Sequence, residues 1–487
     1  MLWCALHLPD LALQIFARGR ADAAPLAILA PHPRQRVMAV DAAARALGVE
    51  PGQRRAGALA LAPGLRVIDR DISQELATLA DLACWAGRFT PSVSLDPPAT
   101  LLLEVRASLR LFGGLAPLCA AIEAGLAELG FDGRLAAAPT PLAARWLARA
   151  APGSLFEGDQ LEPALDALPL TLLADEPGLG ADSLDLLASI GTRRLGEIRR
   201  LPRSGLARRQ AQAITDLLDR AYGRTPDPRP WFAPPERFVS RLPLPAPSEQ
   251  VEVLLFATRR LLGGLAGWLE ARHAGLERFT LVLEFERLGS LHRGIEREHR
   301  LDIVLGSLSR DMARCQLLAR EHLSHQPLPA PVDALRLEAD APRPLAPPRS
   351  DLFDARTGED GDPGLLLATL RARLGADAVR SLAPHPDHRP EHASRWVEPQ
   401  QVARAGPAPL PTSPRPLWLL SEPRPLPPPP PESLVAGPER IESGWWDGAG
   451  AAVARDYYVI RRPDLSLAWV FRERRAPHDW FLHGYFG

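Results

Sequence analysis

Apolar positions open the chain as a short unbroken run, Leu2-Trp3-Cys4-Ala5-Leu6-His7-Leu8, closed by Pro9-Asp10, which predicts a buried strand. A second stretch, Phe89-Thr90-Pro91-Ser92-Val93, leads into the apolar Leu101-Leu102-Leu103-Glu104-Val105 and then Leu109-Arg110-Leu111-Phe112-Gly113-Gly114. Helical patterns at Pro117–Leu129 and Pro141–Arg149 alternate with these strands. The alternation predicts a split βαβ arrangement, an antiparallel sheet backed by helices. Farther on, Val251–Ala271 reads as a long amphipathic helix and Arg278–Glu286 alternates as a half-buried strand. A helix near Leu308–Leu323 and a strand at Val332–Glu338 complete a βαββαβ-like pattern. Near the end, Trp445-Trp446-Asp447-Gly448, Arg455–Ile460 and Ala468–Arg472 read as strands, followed by the aromatic Trp480–Phe486. The class is α+β and multidomain.

Composition adjusts this picture in three places. A chain of 487 residues is too long for one core. The proline-rich stretches 341–350 and 405–435, the latter holding Pro427–Pro431, cannot bury a core and read as extended linkers. No uncharged apolar run of membrane-spanning length occurs, and the N-terminal run has no basic segment before it, so neither a transmembrane helix nor a signal peptide is expected. Cys4, Cys84, Cys119 and Cys315 lack CxxC spacing and read as reduced, mostly buried thiols of a cytoplasmic protein. His385, His388 and His392 cluster among prolines, as in a solvated loop. No metal site and no cofactor are expected.

Formal net charge is −1, so the whole molecule is not a basic polyanion binder. All 57 basic residues are arginine, a side chain that grips phosphate bidentately and stacks on bases. They concentrate in the helical stretch 170–230, where Arg193, Arg194, Arg199, Arg200, Arg203, Arg208 and Arg209 face a single acid, Glu197. Pro177-Gly178-Leu179-Gly180, followed by Ser183–Gly191, reads as a helix-hairpin-helix unit. Gly178 and Gly180 would let the backbone approach phosphate, with helix N–H groups aimed at it. A solvated charged face and a DNA-backbone surface both suit this cluster, and the hairpin favours the second. Arg287, His292, Arg293 and Arg297 are further candidates on the polar face of the second sheet.

The two N-terminal strands resemble the palm strands of Y-family (DinB-like) DNA polymerases. In that family the first strand ends in Asp-x-Asp and the second carries Ser-x-Asp-Glu. Here Leu8 stands at the first position and only Asp10 remains. An ungapped second strand puts Ala99 and Thr100 where Asp-Glu should stand; sliding to Ser94-Leu95-Asp96 recovers one carboxylate, followed by Pro97. Met38–Val49 resembles the fingers segment, with Arg45 matching the family's arginine and Ala42 at its tyrosine position. Ala138–Arg145 resembles the palm helix, with Pro141 at the position of the triphosphate-binding lysine. Two-metal nucleotidyl transfer needs anionic oxygen ligands, which leucine, alanine and threonine do not supply. The resemblance therefore implies a polymerase fold that does not polymerise, a non-enzyme.

Within the family, His7-Leu8-Pro9-Asp10, Arg110–Gly114 and the extra C-terminal region resemble the ImuB type. That resemblance implies a palm at 1–165 with a fingers insertion at about 13–60, and a helix-hairpin-helix thumb at 166–232. A little finger at 233–340, a Pro-rich linker at 341–435 and a C-terminal partner-binding module at 436–487 follow. It implies a DNA-binding adaptor in inducible, error-prone translesion synthesis, cytoplasmic and nucleoid-associated. The implied partners are DNA, the sliding clamp, an ImuA-type protein and an error-prone C-family polymerase. Arg349-Ser350-Asp351-Leu352-Phe353 resembles the clamp-binding Gln-x-x-Leu-Phe peptide, with Arg349 in place of glutamine. The alternative is an active Y-family polymerase using Asp10, Asp96 and Glu104 as an atypical metal set.

Overall fold

The computed structural model describes residues 1–18, 24–31, 35–156, 160–176, 179, 181–202, 212–285, 297–325, 327–345, 363–399, 413–448 and 451–486. They form two units, Met1–Arg373 and Leu374–Gly487.

The N-terminal apolar run forms β1 (Trp3–His7), the inner strand of a four-stranded antiparallel sheet of order β5-β6-β1-β7. Its partners are β5 (Val93–Asp96), β6 (Thr100–Glu104) and β7 (Arg134–Ala138). Because β1 is covered on both faces, its alternate residues serve two cores. Cys4, Leu6 and Leu8 face one, built with α1 (Leu11–Ala17), α4 (Ile72–Ala86) and α6 (Leu115–Glu128). Trp3 and Ala5 face the other, built on α7 (Pro141–Ala150). Pro141 stands at the first turn of α7, where a missing N–H costs nothing, and Thr140 caps that turn through Ala143 N. Beyond α7, Leu187, Leu195, Ile198, Ile214 and Leu217 extend the second core into the arginine-rich helical region.

Between β1 and α4 lies a three-stranded sheet, β2 (Leu26–Leu29), β3 (Val37–Val40) and β4 (Arg66–Asp69), in the order β3-β2-β4. It carries α2 (Ala42–Ala46), whose first turn Asp41 caps through Ala44 N, and α3 (Arg55–Leu61).

The third sheet of this unit has the path β10-β9-β11-β8, made of β8 (Phe238–Ser248), β9 (Ala274–Phe285), β10 (Glu298–Ser309) and β11 (Val332–Ala339), with β12 (Arg343–Pro344) on β9. The long helix predicted at Val251–Ala271 is Val251–Glu270, and it packs against α4. A Cβ on Gly267 would lie 2.7 Å from Trp85 Cα, so glycine permits this approach. Asp81 and Ser240 bond across the same junction at 2.5 Å. Burial pushes Asp81 up to about 7. The helix predicted near Leu308 instead begins at Met312, because Leu308 still belongs to β10.

In the C-terminal unit five antiparallel strands follow the order β15-β19-β18-β17-β16: β15 (Trp418–Leu426), β16 (Leu434–Ser443), β17 (Val453–Arg461), β18 (Leu467–Glu473) and β19 (Trp480–Tyr485). A hairpin of β13 (Ser381–Pro384) and β14 (Ser394–Val397) precedes them. Residues expected as linker, 341–435, thus contain the helix Pro363–Leu374 and strands β13, β14 and β15. Buried Arg389 ties its segment down, donating to Asp387, Asp447 and Ala451 O. Trp445–Gly448, read from sequence as a strand, follows β16 as a turn in which Asp447 N donates to Gly444 O.

Candidate functional site

Leu8, Ala99 and Thr100, the positions compared above with polymerase metal ligands, meet at one end of the four-stranded sheet. Leu8 N donates to Ala99 O at 2.8 Å, and His7 lies in register with Thr100 on β6 and with Arg134 on β7. Directly opposed residues of antiparallel strands share a face, so Thr100, His7 and Arg134 form a row across three strands. His7 Nδ1 is 2.9 Å from Thr100 Oγ1. Leu8 points the other way and is fully buried in the first core. The β1 side chain that meets Thr100 is therefore His7, the residue before Leu8. A one-residue shift along a strand exchanges its faces. Counting backwards from Thr100 through the antiparallel pairing is the signal that finds His7.

The remaining acids are spent or isolated. Asp96 accepts from Arg145 Nη1 at 2.9 Å and from Arg229 Nη1 at 2.9 Å, one arginine on each oxygen. Arg145 also grips both oxygens of buried Glu176, which takes a third bond from Trp146 Nε1 at 2.7 Å. Burial alone would lower the pKa of Arg145, yet Asp96 and Glu176 hold it above its ordinary value. Asp10 is exposed at the start of α1 and caps no backbone N–H. Glu104 sits four residues along β6 from Thr100, roughly 13 Å at strand rise, and accepts from Leu2 N at 3.0 Å. Magnesium ligands must each lie about 2.1 Å from one ion. Among the described residues no three His, Cys, Asp or Glu side chains converge in this way. Arg45 is exposed on α2, and Ala42, at the tyrosine position, adds no aromatic face.

In the arginine-rich region, Arg193, Arg194 and Arg200 are exposed, while Glu197 accepts from the backbone N–H of Arg193 and Arg194. Arg199 turns inward, against expectation. It donates to Glu162 at 3.2 Å and Asp166 at 2.7 Å and lies over the Tyr222 ring. Acids distant in sequence but close in space neutralise it. Gly178, Gly180, Arg203, Arg208 and Arg209 lie outside the described residues, as do Arg287, His292 and Arg293 and the whole of Arg349–Phe353.

Residues 18–149 match the impB/mucB/samB family. Over 481 residues the chain is 29% identical to Protein ImuB of Caulobacter vibrioides, strain NA1000 / CB15N, covering 91% of this chain and all of that protein. Protein ImuB of strain ATCC 19089 / CIP 103742 / CB 15 gives the same values. The chain is thus similar to ImuB proteins over most of its length, and residues 18–149 resemble the impB/mucB/samB family. Solved structures similar to this chain include a Dbh ternary complex, at 18% identity and TM-score 0.39 over 70% of this chain and 99% of that one. Another is DinB from Sulfolobus solfataricus, at 17% identity and TM-score 0.39 over 70% and 98%. No helix among its described residues is long and apolar enough to cross a membrane.

Proposed function

We propose that this chain is a non-catalytic, DNA-binding adaptor in inducible, error-prone translesion synthesis. The observation that carries the reading is Asp96, the surviving palm acid, held on both oxygens by Arg145 and Arg229. A carboxylate paired with an arginine on each oxygen is already charge-compensated, so a magnesium ion there would have to work against two fixed cations. Leu8, Ala99 and Thr100 bring no anionic oxygen to the same end of the sheet. The active-polymerase alternative needs Glu104 beside Asp10 and Asp96, and its distance along β6 argues against that. Primer extension with the purified chain tests the reading. No template-dependent addition is expected, and addition that Asp10→Ala abolishes would overturn it.

In this reading 1–165 is the palm with fingers, 166–232 the thumb, 233–340 the little finger, 341–435 a linker with the clamp peptide, and 436–487 a partner module. The two-unit division instead supports drawing the C-terminal boundary near residue 374. Exposed Arg193, Arg194 and Arg200 are the described thumb residues suited to DNA phosphate. Leu352 and Phe353 anchor the sliding clamp, and the C-terminal unit engages an ImuA-type partner and a C-family polymerase at the nucleoid. Leu352→Ala with Phe353→Ala should abolish clamp pull-down and leave DNA binding intact. Clamp capture unchanged from the parent would remove that peptide from the scheme.

A further inference from the structure

Beside the degenerate positions the sheet end opens into a cleft of about 400 Å³, lined by His7, Arg134, Arg149, Ala150, Pro169, Thr171 and Leu172. Its chemistry inverts that of a polymerase palm. Where two-metal chemistry gathers acids around cations, this cleft gathers arginines. We propose that the cleft formed by His7, Arg134 and Arg149 binds a phosphate-class oxyanion.

Two strands, a helix and the helical turn Leu170–Asp175 build the site. Arg134 is exposed at the start of β7, directly across from His7. The last turn of α7 brings Arg149 to the same end. A helix C-terminus alone repels anions, but here the Arg149 carbonyl accepts from Arg134 Nη1 at 3.3 Å, which moderates that field. The charged neighbours are few. Arg149 pairs with Asp175, whose side chain is 72% exposed. Such an exposed pair is weak and can yield to a better anion. Arg145, the next cation along α7, is already engaged by Asp96 and Glu176. The local sum over Arg134, Arg149 and Asp175 is thus one positive charge, and a protonated His7 would add a second. Guanidinium forks match the planar edges of phosphate, and Thr171 adds a hydroxyl at the rim.

His7 is the built-in reporter. Burial, then the fields of Arg149 and Arg134, lower it to about 4. An anion between the arginines cancels part of their field, so its arrival should raise the His7 pKa. By reciprocity, binding should tighten as pH falls toward the free value. Sulfate is the suitable probe for that dependence, because its own charge stays constant over the range.

The site is distinct from the fingers position Arg45 and from the exposed thumb arginines, and it does not depend on the adaptor reading. The test follows the imidazole resonances of histidine-labelled full-length chain during titration with sulfate, phosphate and pyrophosphate. Parallel arms use short duplexes with and without a 5′-phosphate. The expected result is a saturable shift of the His7 signal, assigned by its loss in His7→Gln. A raised His7 pKa should accompany it, with affinity weakened roughly tenfold in Arg134→Gln. Stronger response to the phosphorylated duplex than to pyrophosphate identifies a DNA end as the ligand; the reverse identifies a free anion. A His7 signal indifferent to every probe would overturn the proposal, as would equal binding by the Arg134→Gln, Arg149→Gln double variant.

Discussion

Among the described residues two five-stranded sheets have faces of opposite chemistry. The sheet of β8 to β12 has helices on one side, with Trp268 buried beneath them, and ion pairs on the other. Arg336 is the hub, donating to Glu284 at 2.6 Å, Glu298 at 2.7 Å and Glu338 at 2.9 Å. Arg300 and Arg237 also reach Glu338, and Arg241 reaches Glu284. The C-terminal sheet has apolar clusters on both faces, led by Tyr457, Trp469 and Phe471 on one. Tyr457 and Trp469 stack at 4.1 Å, and Tyr457 Oη is 2.8 Å from His483 Nδ1. The difference teaches what each surface can recognise. On the first, an incoming phosphate must displace a carboxylate from Arg237, Arg241, Arg300 or Arg336, so much of the polar face expected to meet DNA is self-satisfied. The second unit exposes Trp396, Trp418, Trp445 and Trp446, which suits an apolar protein partner.

The largest expected effects come from the two cores. Trp268→Ala and Trp469→Ala should each cost about 3–5 kcal/mol, but in different thermal transitions of the full chain. Calorimetry that shows both substitutions lowering one shared transition would mean that the two sheets melt together.

Acid should separate the units next. Burial lowers His483 to about 4, with partial opposition from Glu391. A lowered histidine is neutral when folded and charged when unfolded below its ordinary value near ~6.5. Its stabilisation is thus complete above that value and is lost as pH falls toward 4, by at most about 3 kcal/mol. In the first unit His7 acts with the same sign, but Asp81, raised to about 7, acts with the opposite one. A raised carboxyl favours the folded state increasingly as pH falls from 7 toward its unfolded value. The C-terminal transition should therefore move first on acidification, and His483→Gln should flatten its dependence. Equal movement of both transitions would count against the assignment.

The ion-paired face should respond more modestly. Arg336→Met leaves three glutamates short of a partner and should cost about 1–2 kcal/mol. Replacing Glu298 by glutamine frees part of the hub, and should steepen the salt dependence of DNA binding by up to ~1 in log–log slope. An unchanged slope would show that this face never meets the backbone.

Much of this architecture was legible in sequence because apolar periodicity survives there. β1, the helix Val251–Glu270 and strands β9, β11, β17 and β18 all follow their pattern. Strands β8, β15 and β16 escaped, for one physical reason. Pro243, Pro245, Pro247, Pro423, Pro425 and Pro438 interrupt their strand pattern, yet each strand lies at a sheet edge, where a missing N–H need not break a ladder. At the His7 end of the first sheet, Asp96 was legible as a candidate acid and its arginine partners were not. Arg145, Arg229 and Glu176 come together only through folding, and no local spacing links them to Asp96. The inward turn of Arg199 has the same cause, since Glu162 and Asp166 lie on another helix.

The smallest effect on stability should accompany a large one on association. Trp445 is 76% exposed and Trp446 55%, in edge-to-face contact at 5.3 Å within the turn after β16. Neither belongs to the clusters that hold the C-terminal sheet together. Substitution of exposed residues away from caps, cores and networks changes stability by no more than about 0.5 kcal/mol. Trp445→Ala with Trp446→Ala should therefore leave the C-terminal transition in place. If the pair is a docking anchor, the loss at an interface is on the order of 2 kcal/mol or more per residue, as for other buried aromatic hot spots. Calorimetry and pull-down of the proposed ImuA-type and C-family partners on the same protein distinguish the two roles. Intact melting with lost capture places a partner on the tryptophans. Lowered melting would make them part of the fold after all, and the contrast between the two sheets would then rest on Trp396 and Trp418 alone.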